Sequence, residues 1–275
     1  MTVTATSSVR TSQAEESLRA ILRRLAPVVV AFSGGADSAL LAWMANGELG
    51  RSRALCATAV SPSLAPEEEA DCRSIAAEWG LRWTAVETDE MGSDAYRANG
   101  PDRCYHCKDA LMDALVPLAR RESATVVLGV NVDDLSDYRP GQRAARERGA
   151  SFPLVEAGMT KDDVRALSRA HGLRTAAKPA APCLASRLPY GTPVTVGVLS
   201  SVARAESALR ALGFAGLRVR HYGNVARIEL PEDRLAEAVA LRSEIIAGVR
   251  GAGYRYVTLD LEGMRSGNLN REAGL

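Results

Sequence analysis

A chain of 275 residues with 47% apolar and 24% charged positions has the composition of an ordinary globular protein of one large or two small domains. Its net charge of +1 argues against a broadly basic nucleic-acid surface, no apolar run reaches membrane-spanning length, and the opening MTVTATSSVR carries no signal-peptide core. We therefore expect a cytoplasmic protein. Its five cysteines, an odd number, then suit metal ligation or reactive thiols better than a disulfide framework.

Residues 1–12 read as a disordered tail, and 14–25 carry helical apolar spacing through Ala14, Leu18, Ile21, Leu22 and Leu25. Strand-like runs follow at 28–32, 54–60, 83–86 and 125–130, separated by helical patterns at 38–49, 66–79 and 106–121. That alternation predicts an α/β fold with a doubly wound parallel sheet. Ligands of such sheets sit beyond the carboxyl ends of the strands. The turns Ser33-Gly34-Gly35 and Gly129-Val130-Asn131-Val132-Asp133-Asp134 both lie at such ends and are expected to face one ligand.

The first of these turns is the most informative segment of the chain. In VVVAFSGGADS, residues 28–38, a β-branched run ends in two glycines, and an apolar helical pattern begins at once. Glycines let the backbone approach an anion, and free amides at a helix start point toward it, so a phosphate or pyrophosphate is the expected guest. The chain contains neither G-x-x-x-x-G-K-[ST] nor a G-x-G-x-x-G that opens a βαβ unit. SGGADS instead resembles the S-G-G-x-D-S signature of the PP-loop ATP pyrophosphatases, a family that splits ATP to AMP and pyrophosphate.

Helix 161–171 follows, with Lys161 at its start. The proline-rich stretch KPAAPCLASRLPYGTP, residues 178–193, reads as irregular and stiff, and as a junction between domains. The expected organisation is a PP-loop domain at 13–177, a cysteine-containing junction at 178–194 and a small α+β domain at 195–275. Within that last domain the patterns are helix 196–212, strand 216–221, strand 225–230, helix 232–250 and strand 255–261, with a hairpin turn at Gly223-Asn224.

Cys104 and Cys107 form a C-x₂-C knuckle, and Cys183 sits in the proline-rich loop. Three thiolates suit a [4Fe–4S] cluster with one open iron better than a closed zinc site, although zinc completed by His106 or water stays open, as does an incidental pair. Cys56 and Cys72 read as small core residues.

With SGGADS at 33–38, DRCYHCK at 102–108, GVNVDDLSDYRPG at 129–141 and PCLASRLPYGTP at 182–193, the chain resembles the LarE sulfur transferases of nickel-pincer nucleotide biosynthesis. LRVRHYG at 217–223 and LEGMRSGNLN at 261–270 extend the match. The resemblance implies ATP-dependent adenylation of a carboxylate of pyridinium-3,5-biscarboxylic acid mononucleotide, with Mg²⁺ on the phosphates, then sulfur attack with AMP leaving. It further implies a homo-oligomer with a small-molecule substrate and no nucleic-acid or membrane partner. One branch of the family sacrifices a cysteine in the CLASR loop, which becomes dehydroalanine. The other holds a [4Fe–4S] cluster on three cysteines, the pattern that Cys104, Cys107 and Cys183 resemble. Cys183 occupies the sulfur-donor position under either scheme.

The same resemblance assigns Ser33, Gly34, Gly35, Asp37 and Ser38 to the pyrophosphate, and Gly129 and Asn131 to the neighbourhood of the adenosine. Asp37 is expected near magnesium or as a helix cap, and Asp133 and Asp134 near metal or as helix-start acids. Ser186 and Arg187 suit a phosphate. Arg218 and Arg220 alternate along a strand and so share a face, suited to the substrate's phosphate or carboxylates or simply solvated. Glu206 and Glu229 resemble acids near the family's site, and Arg139 reads as a turn residue. A PP-loop tRNA thiolase is the rival enzyme and a non-catalytic nucleotide sensor the rival of another class. The near-zero net charge and the CLASRLPYG segment count against the thiolase.

Overall fold

The computed structural model describes residues 2–135 and 140–265. In chain order these form α1 (Thr2–Leu25), β1 (Val28–Ala31), α2 (Ala36–Leu49), β2 (Ala54–Val60), α3 (Pro66–Glu78), β3 (Arg82–Glu87), α4 (Asp94–Arg97), α5 (Arg103–Arg121) and β4 (Thr125–Leu128). They continue as α6 (Pro140–Glu147), α7 (Pro153–Glu156), α8 (Lys161–Ala170), α9 (Val196–Ala211), β5 (Arg218–Tyr222), β6 (Val225–Glu229), α10 (Leu235–Ala240), α11 (Arg242–Gly251) and β7 (Tyr256–Leu259). The fold is α/β, as the alternation of patterns predicts. Arg139 lies outside the described residues. Among those described, no helix is long and apolar enough to cross a membrane.

Two compact units divide the chain. The first comprises Met1–Ser61, Pro66–Glu90 and Cys104–Ala181. It holds a four-stranded parallel sheet in the order β3-β2-β1-β4. Val28, Val29 and Val30 are almost fully buried because β1 is an inner strand covered on both faces. Period-two alternation sends Val28 and Val30 into one core with Leu40, Leu41 and Ile75, and Val29 into another with Met112, Leu115 and Val126. Each such side chain contributes about 1.5–3 kcal/mol by leaving water.

Strand order fixes where a ligand can go. The chain steps outward from β1 to β2 and β3, then returns to the other side of β1 as β4. The connections after β1 and β4 therefore leave in opposite directions, which opens a crevice at their carboxyl ends. SGGADS and GVNVDD are the segments that leave there.

One helix differs from its sequence reading. Helix α1 extends back to Thr2, through the stretch expected as a tail. That stretch has neither glycine nor proline before position 27, so a helix begun at 14–25 meets no breaker.

The second unit comprises Pro62–Ala65, Met91–Arg103 and Pro182–Leu275. Its sheet has the order β5-β6-β7, with β5 and β6 antiparallel and β6 and β7 parallel. A two-residue turn, Gly223-Asn224, joins the paired residues Tyr222 and Val225. Leu209, Phe214, Val219, Ile228, Ile245 and Val249 form its core. The expected helix 232–250 is instead a 3₁₀ turn at Glu232–Arg234 followed by α10 and α11. The break falls at Leu241, whose φ of −93° and ψ of 21° leave helical values. Buried Ala238, Ile245 and Val249 keep their helical spacing through it, so the apolar pattern alone does not reveal the break.

Candidate functional site

The SGGADS loop forms where β1 stops. Phe32 still donates its backbone N–H to Ala57 O at 2.8 Å, the last sheet-like bond. Thr58 Oγ1 donates to Phe32 O at 2.7 Å and accepts from Trp83 Nε1 at 2.8 Å, which anchors the turn from below. Gly34 then takes φ +67°, the left-handed region that a side chain disfavours. Gly35 is the N-cap of α2 and brings no side-chain cap. The first amides of that 14-residue helix thus keep the free donors and positive end of the dipole that suit an anion. Ser38 Oγ sits 3.0 Å from Ser33 Oγ, accepts from Ser33 N at 3.2 Å and donates to Gly35 O at 3.1 Å. The two serines therefore set the loop's curvature, while Ser33 itself is exposed.

The segment after β4 closes on this loop. A β-carbon on Gly129 would meet Ser38 N at 2.7 Å and the Asp37 carbonyl carbon at 2.9 Å. Buried Asn131 donates from Nδ2 to Asp37 Oδ1 at 3.0 Å. Asn131 is held in turn by reciprocal bonds with Asp134, N to Oδ2 at 3.1 Å and Oδ1 from N at 3.2 Å. Asp133 Oδ2 accepts the backbone N–H of Lys161 at 2.8 Å, at the start of α8. Lys161 Nζ forms an ion pair with Asp37 Oδ2. Asp133 and Asp134 thus cap backbone amides here, and Ser33, Gly34, Gly35, Asp37, Ser38, Gly129 and Asn131 come together as one group.

A second lysine reaches the loop from another side. Lys178 Nζ lies 3.6 Å from where a Gly34 β-carbon would stand and is paired with Glu68 at 2.8 Å and Asp71 at 2.7 Å. Burial works against its charge, but the two carboxylates prevail and raise its pKa above the usual lysine value. Cys72 Sγ is 3.0 Å from the same point, fully buried, and burial pushes its thiol up to about 11.

In the second unit the CLASR segment folds as a 3₁₀ turn, Leu184–Arg187, with Cys183 as its N-cap. Ser186 Oγ donates to Cys183 O at 2.7 Å. Arg187 is nearly buried and makes a two-point contact with Glu206, Nε to Oε1 at 2.8 Å and Nη2 to Oε2 at 3.2 Å. Its Nη1 donates to Pro182 O at 2.7 Å. Glu206 also accepts from Arg210 at 2.9 Å and from Val219 N at 3.0 Å. Arg220 donates to Ser186 O at 2.7 Å and to Glu229 at 2.9 Å, yet its buried Nε has no partner among the described residues.

Arg218 stands apart from these pairs. It is in register with Glu229, but Glu229 is engaged by Arg220 and Arg227. Among the described residues its side-chain hydrogen bond is from Nη1 to Arg265 O at 3.3 Å. Burial, followed by the charges of Arg220 and Arg187, pulls its pKa below the usual arginine value. A half-buried guanidinium beside two others is a place where an incoming anion gains. Arg103 and Asn99, which the sequence reading did not single out, brace the same unit: Arg103 Nη1 donates to Asn99 Oδ1 at 2.7 Å and to Ala185 O at 2.8 Å.

Cys104 and Cys107 lie in the first turns of α5, three residues apart and so on one face, with Cys104 exposed and Cys107 half-buried. They belong to the first unit and the half-buried Cys183 to the second. None of the five cysteines is in a disulfide. Cys104 and Cys107, on the dipole-positive end of α5, offer the soft thiolate donors that an anionic iron–sulfur cluster takes. Among the described residues no three His, Cys, Asp or Glu side chains are already gathered as a metal site. Among the described residues each Asp37 oxygen has one donor and keeps further lone pairs, so the carboxylate fits a magnesium ion.

Lys161 and Lys178 are the loop-facing residues that sequence reasoning did not assign. Lys161 carries only a local signal, its place in the Thr160–Asp163 capping box, whereas its partner Asp37 is 124 positions away.

No protein-family model matches the chain. It is 47% identical over 259 residues to an uncharacterized protein of Synechocystis sp., covering 93% of this chain and 96% of that protein. It is 40% identical over 255 residues to the pyridinium-3,5-bisthiocarboxylic acid mononucleotide synthase of Lactiplantibacillus plantarum, covering 92% of each. An uncharacterized protein of Methanocaldococcus jannaschii is 29% identical over 240 residues, 87% of this chain and 91% of that protein.

Proposed function

The chain belongs to the LarE family of pyridinium-3,5-bisthiocarboxylic acid mononucleotide synthases, and from that membership we propose that it inserts sulfur into pyridinium-3,5-biscarboxylic acid mononucleotide at the expense of ATP. The reading rests on the 40% identity over 92% of the chain to the named synthase. The geometry of the SGGADS loop supports it. Free amides at Gly35 and the start of α2 take the pyrophosphate portion of ATP, Ser33 and Ser38 shape the turn, and Gly129 and Asn131 border the adenosine. Asp37 would hold Mg²⁺, which would offset phosphate charge. A substrate carboxylate oxygen attacks the α-phosphorus and pyrophosphate leaves. The resulting acyl-adenylate carries AMP as its leaving group.

Arg218 and Arg220, beside the Ser186-Arg187 turn, receive the anionic groups of the pyridinium nucleotide. Among the described residues Arg220 Nε has no partner and Arg218 makes no ion pair, and both facts support that role. Cys104, Cys107 and Cys183 would be the thiolates for a [4Fe–4S] cluster, which would supply sulfide as the sulfur nucleophile. The second scheme uses Cys183 alone. Its thiol attacks the acyl carbon and AMP departs. Loss of the Cα proton and cleavage of the Cβ–S bond then leave sulfur on the substrate and dehydroalanine at position 183. The enzyme works in the cytoplasm as a homo-oligomer.

Anaerobic purification of wild type and Cys104→Ala, with iron and sulfide analysis, separates the schemes. About four irons per chain, lost in the variant, supports the cluster. An iron-free protein whose intact mass falls by H₂S after turnover assigns the sulfur to Cys183. A protein that consumes no ATP with this substrate overturns the function itself.

A further inference from the structure

Three guanidiniums hold the carbonyls around Cys183. Arg187 donates to Pro182 O at 2.7 Å, Arg220 to Ser186 O at 2.7 Å and Arg103 to Ala185 O at 2.8 Å. Arg187 and Arg220 are also paired with Glu206 and Glu229, which accounts for where they stand. Arg103 reaches the turn from another segment of the second unit, residues 91–103, and sulfur insertion as proposed above gives it no task. It is 5% exposed. A charge so far from water is tolerated only where its donors meet acceptors, so the fold must fix those acceptors as firmly as the arginine itself.

We propose that Arg103, seated by Asn99, is a positioning residue for the sulfur step: it fixes the turn that presents the Cys183 thiol, and it does not serve adenylation; this rests on reading Cys183 as part of the sulfur-donating set. In that step the sulfur nucleophile forms a bond to the acyl carbon and the C–O bond to AMP breaks, AMP taking the electron pair. Ser186 N donates to Cys183 O at 2.9 Å, so residues 183–186 form one closed turn. Ala185 O cannot shift within that ring without turning Cys183. One nitrogen, Arg103 Nη1, bonds both Ala185 O and Asn99 Oδ1. Asn99 is fully buried at φ +56°, a left-handed conformation that asparagine tolerates better than most residues with a side chain. Its Nδ2 donates to Pro189 O at 2.8 Å and to Thr192 O at 2.9 Å, and its carbonyl accepts from Gly191 N at 3.0 Å. The side-chain amide is therefore locked, and its oxygen has one place to offer Arg103. On the amide side of the turn, Leu184 N donates to Ser63 O at 2.9 Å, and Ser63 Oγ lies 2.6 Å from Tyr96 Oη. The backbone is clamped from both sides while Cys183 itself stays only half-buried. Neither Arg103 bond involves the SGGADS loop, where adenylation is placed.

The test compares wild type, Arg103→Met and Arg103→Lys as full chains without oxygen, with melting temperatures alongside. At saturating pyridinium nucleotide, substrate-dependent exchange of pyrophosphate into ATP reads adenylation, and product mass after a single turnover reads sulfur transfer. Arg103→Met is expected to exchange within about two-fold of wild type while its sulfur transfer falls about ten-fold or more. Arg103→Lys, whose ammonium has donors for both acceptors, should recover part of the loss. A maleimide pulse on the iron-free proteins gives a reading without turnover: relative to Cys104, Cys183 should label about three-fold or more faster in Arg103→Met than in wild type. Should the methionine variant melt below the assay temperature, the lysine variant carries the test, with exchange kept and transfer reduced, and wild-type transfer in it then overturns the proposal. Equal losses of exchange and transfer make Arg103 a general brace and overturn the proposal, as does unchanged transfer in Arg103→Met or a lysine variant no better than methionine. A wild type that exchanges pyrophosphate but makes no thiocarboxylate, or does neither, overturns the proposed function and this role with it.

Discussion

The backbone nitrogen of Ser38 stands 2.7 Å from the point a β-carbon on Gly129 would occupy. Real β-carbons do not come that close to backbone. The obstacle is the first turn of α2, which cannot move without opening the anion loop. Gly129→Ala is therefore expected to cost about 1–3 kcal/mol of stability. It should also displace the amides of Asp37 and Ser38, so that ATP binding falls by more than the loss of stability explains. Urea unfolding and nucleotide titration on the same variant check both parts. An alanine variant that binds ATP as wild type does removes this contact from the site.

The arginines of the second unit separate into a structural set and a receiving one. Glu206 is fully buried under Arg187, Arg210 and the Val219 amide. Glu206→Gln leaves a buried guanidinium without its counter-charge and is expected to destabilise by about 3–5 kcal/mol. Arg218→Met removes a half-buried charge that makes no ion pair among the described residues and is disfavoured by burial and by Arg220 and Arg187, so the fold should survive with little change. Its loss should appear instead in KM for the pyridinium nucleotide. Chemical denaturation of both variants, beside steady-state kinetics of the second, tests the division. An Arg218→Met protein with normal KM contradicts it.

How much of this was legible depends on the range of the interaction. The Val28–Val30 run, the SGGADS turn and the Gly223-Asn224 hairpin are local, and local pattern placed each one. Alternating strands and helices predicted the parallel sheet, but not the order that sets β4 beside β1. The Asp37–Lys161 pair has no such signature, because nothing in TKDD says which distant carboxylate its lysine meets. Period-two alternation placed Arg218 and Arg220 on one face but does not say what covers that face. Arg220 turned out 3% exposed and tied to Glu229, while Arg218 remained half-buried. The break at Leu241 was hidden for a similar reason, since the buried positions on either side of it keep one helical phase.

The five thiols should differ widely in reactivity. Burial pushes Cys56 up to about 12 and Cys72 up to about 11, and both side chains are almost fully covered. Thiolate is the reacting form, so near neutral pH these two carry almost none. Cys104 is exposed, and Cys107 and Cys183 are half-buried. Peptide mapping after a maleimide pulse on iron-free protein should find Cys104 labelled first, with Cys107 and Cys183 following. Cys56 and Cys72 should react only in denaturant. Early labelling of Cys72 would mean that the floor of the anion loop opens readily.

His221 makes the second unit sensitive to mild acid. Its Nδ1 lies 3.1 Å from the hydroxyl of buried Tyr254, and the two rings meet edge to face at 5.6 Å. Burial lowers its pKa below the ordinary 6.5, so the folded state prefers neutral imidazole. A group whose folded pKa is depressed contributes its full stability above the unfolded value. It loses that contribution as pH falls from there through the folded value. Wild-type unfolding followed by tyrosine fluorescence should therefore become easier as pH drops below 6.5. His221→Gln, which cannot titrate, should show a shallower decline over the same interval and a lower starting stability from the lost ring contact. Parallel declines in the two proteins would move the acid sensitivity to other groups.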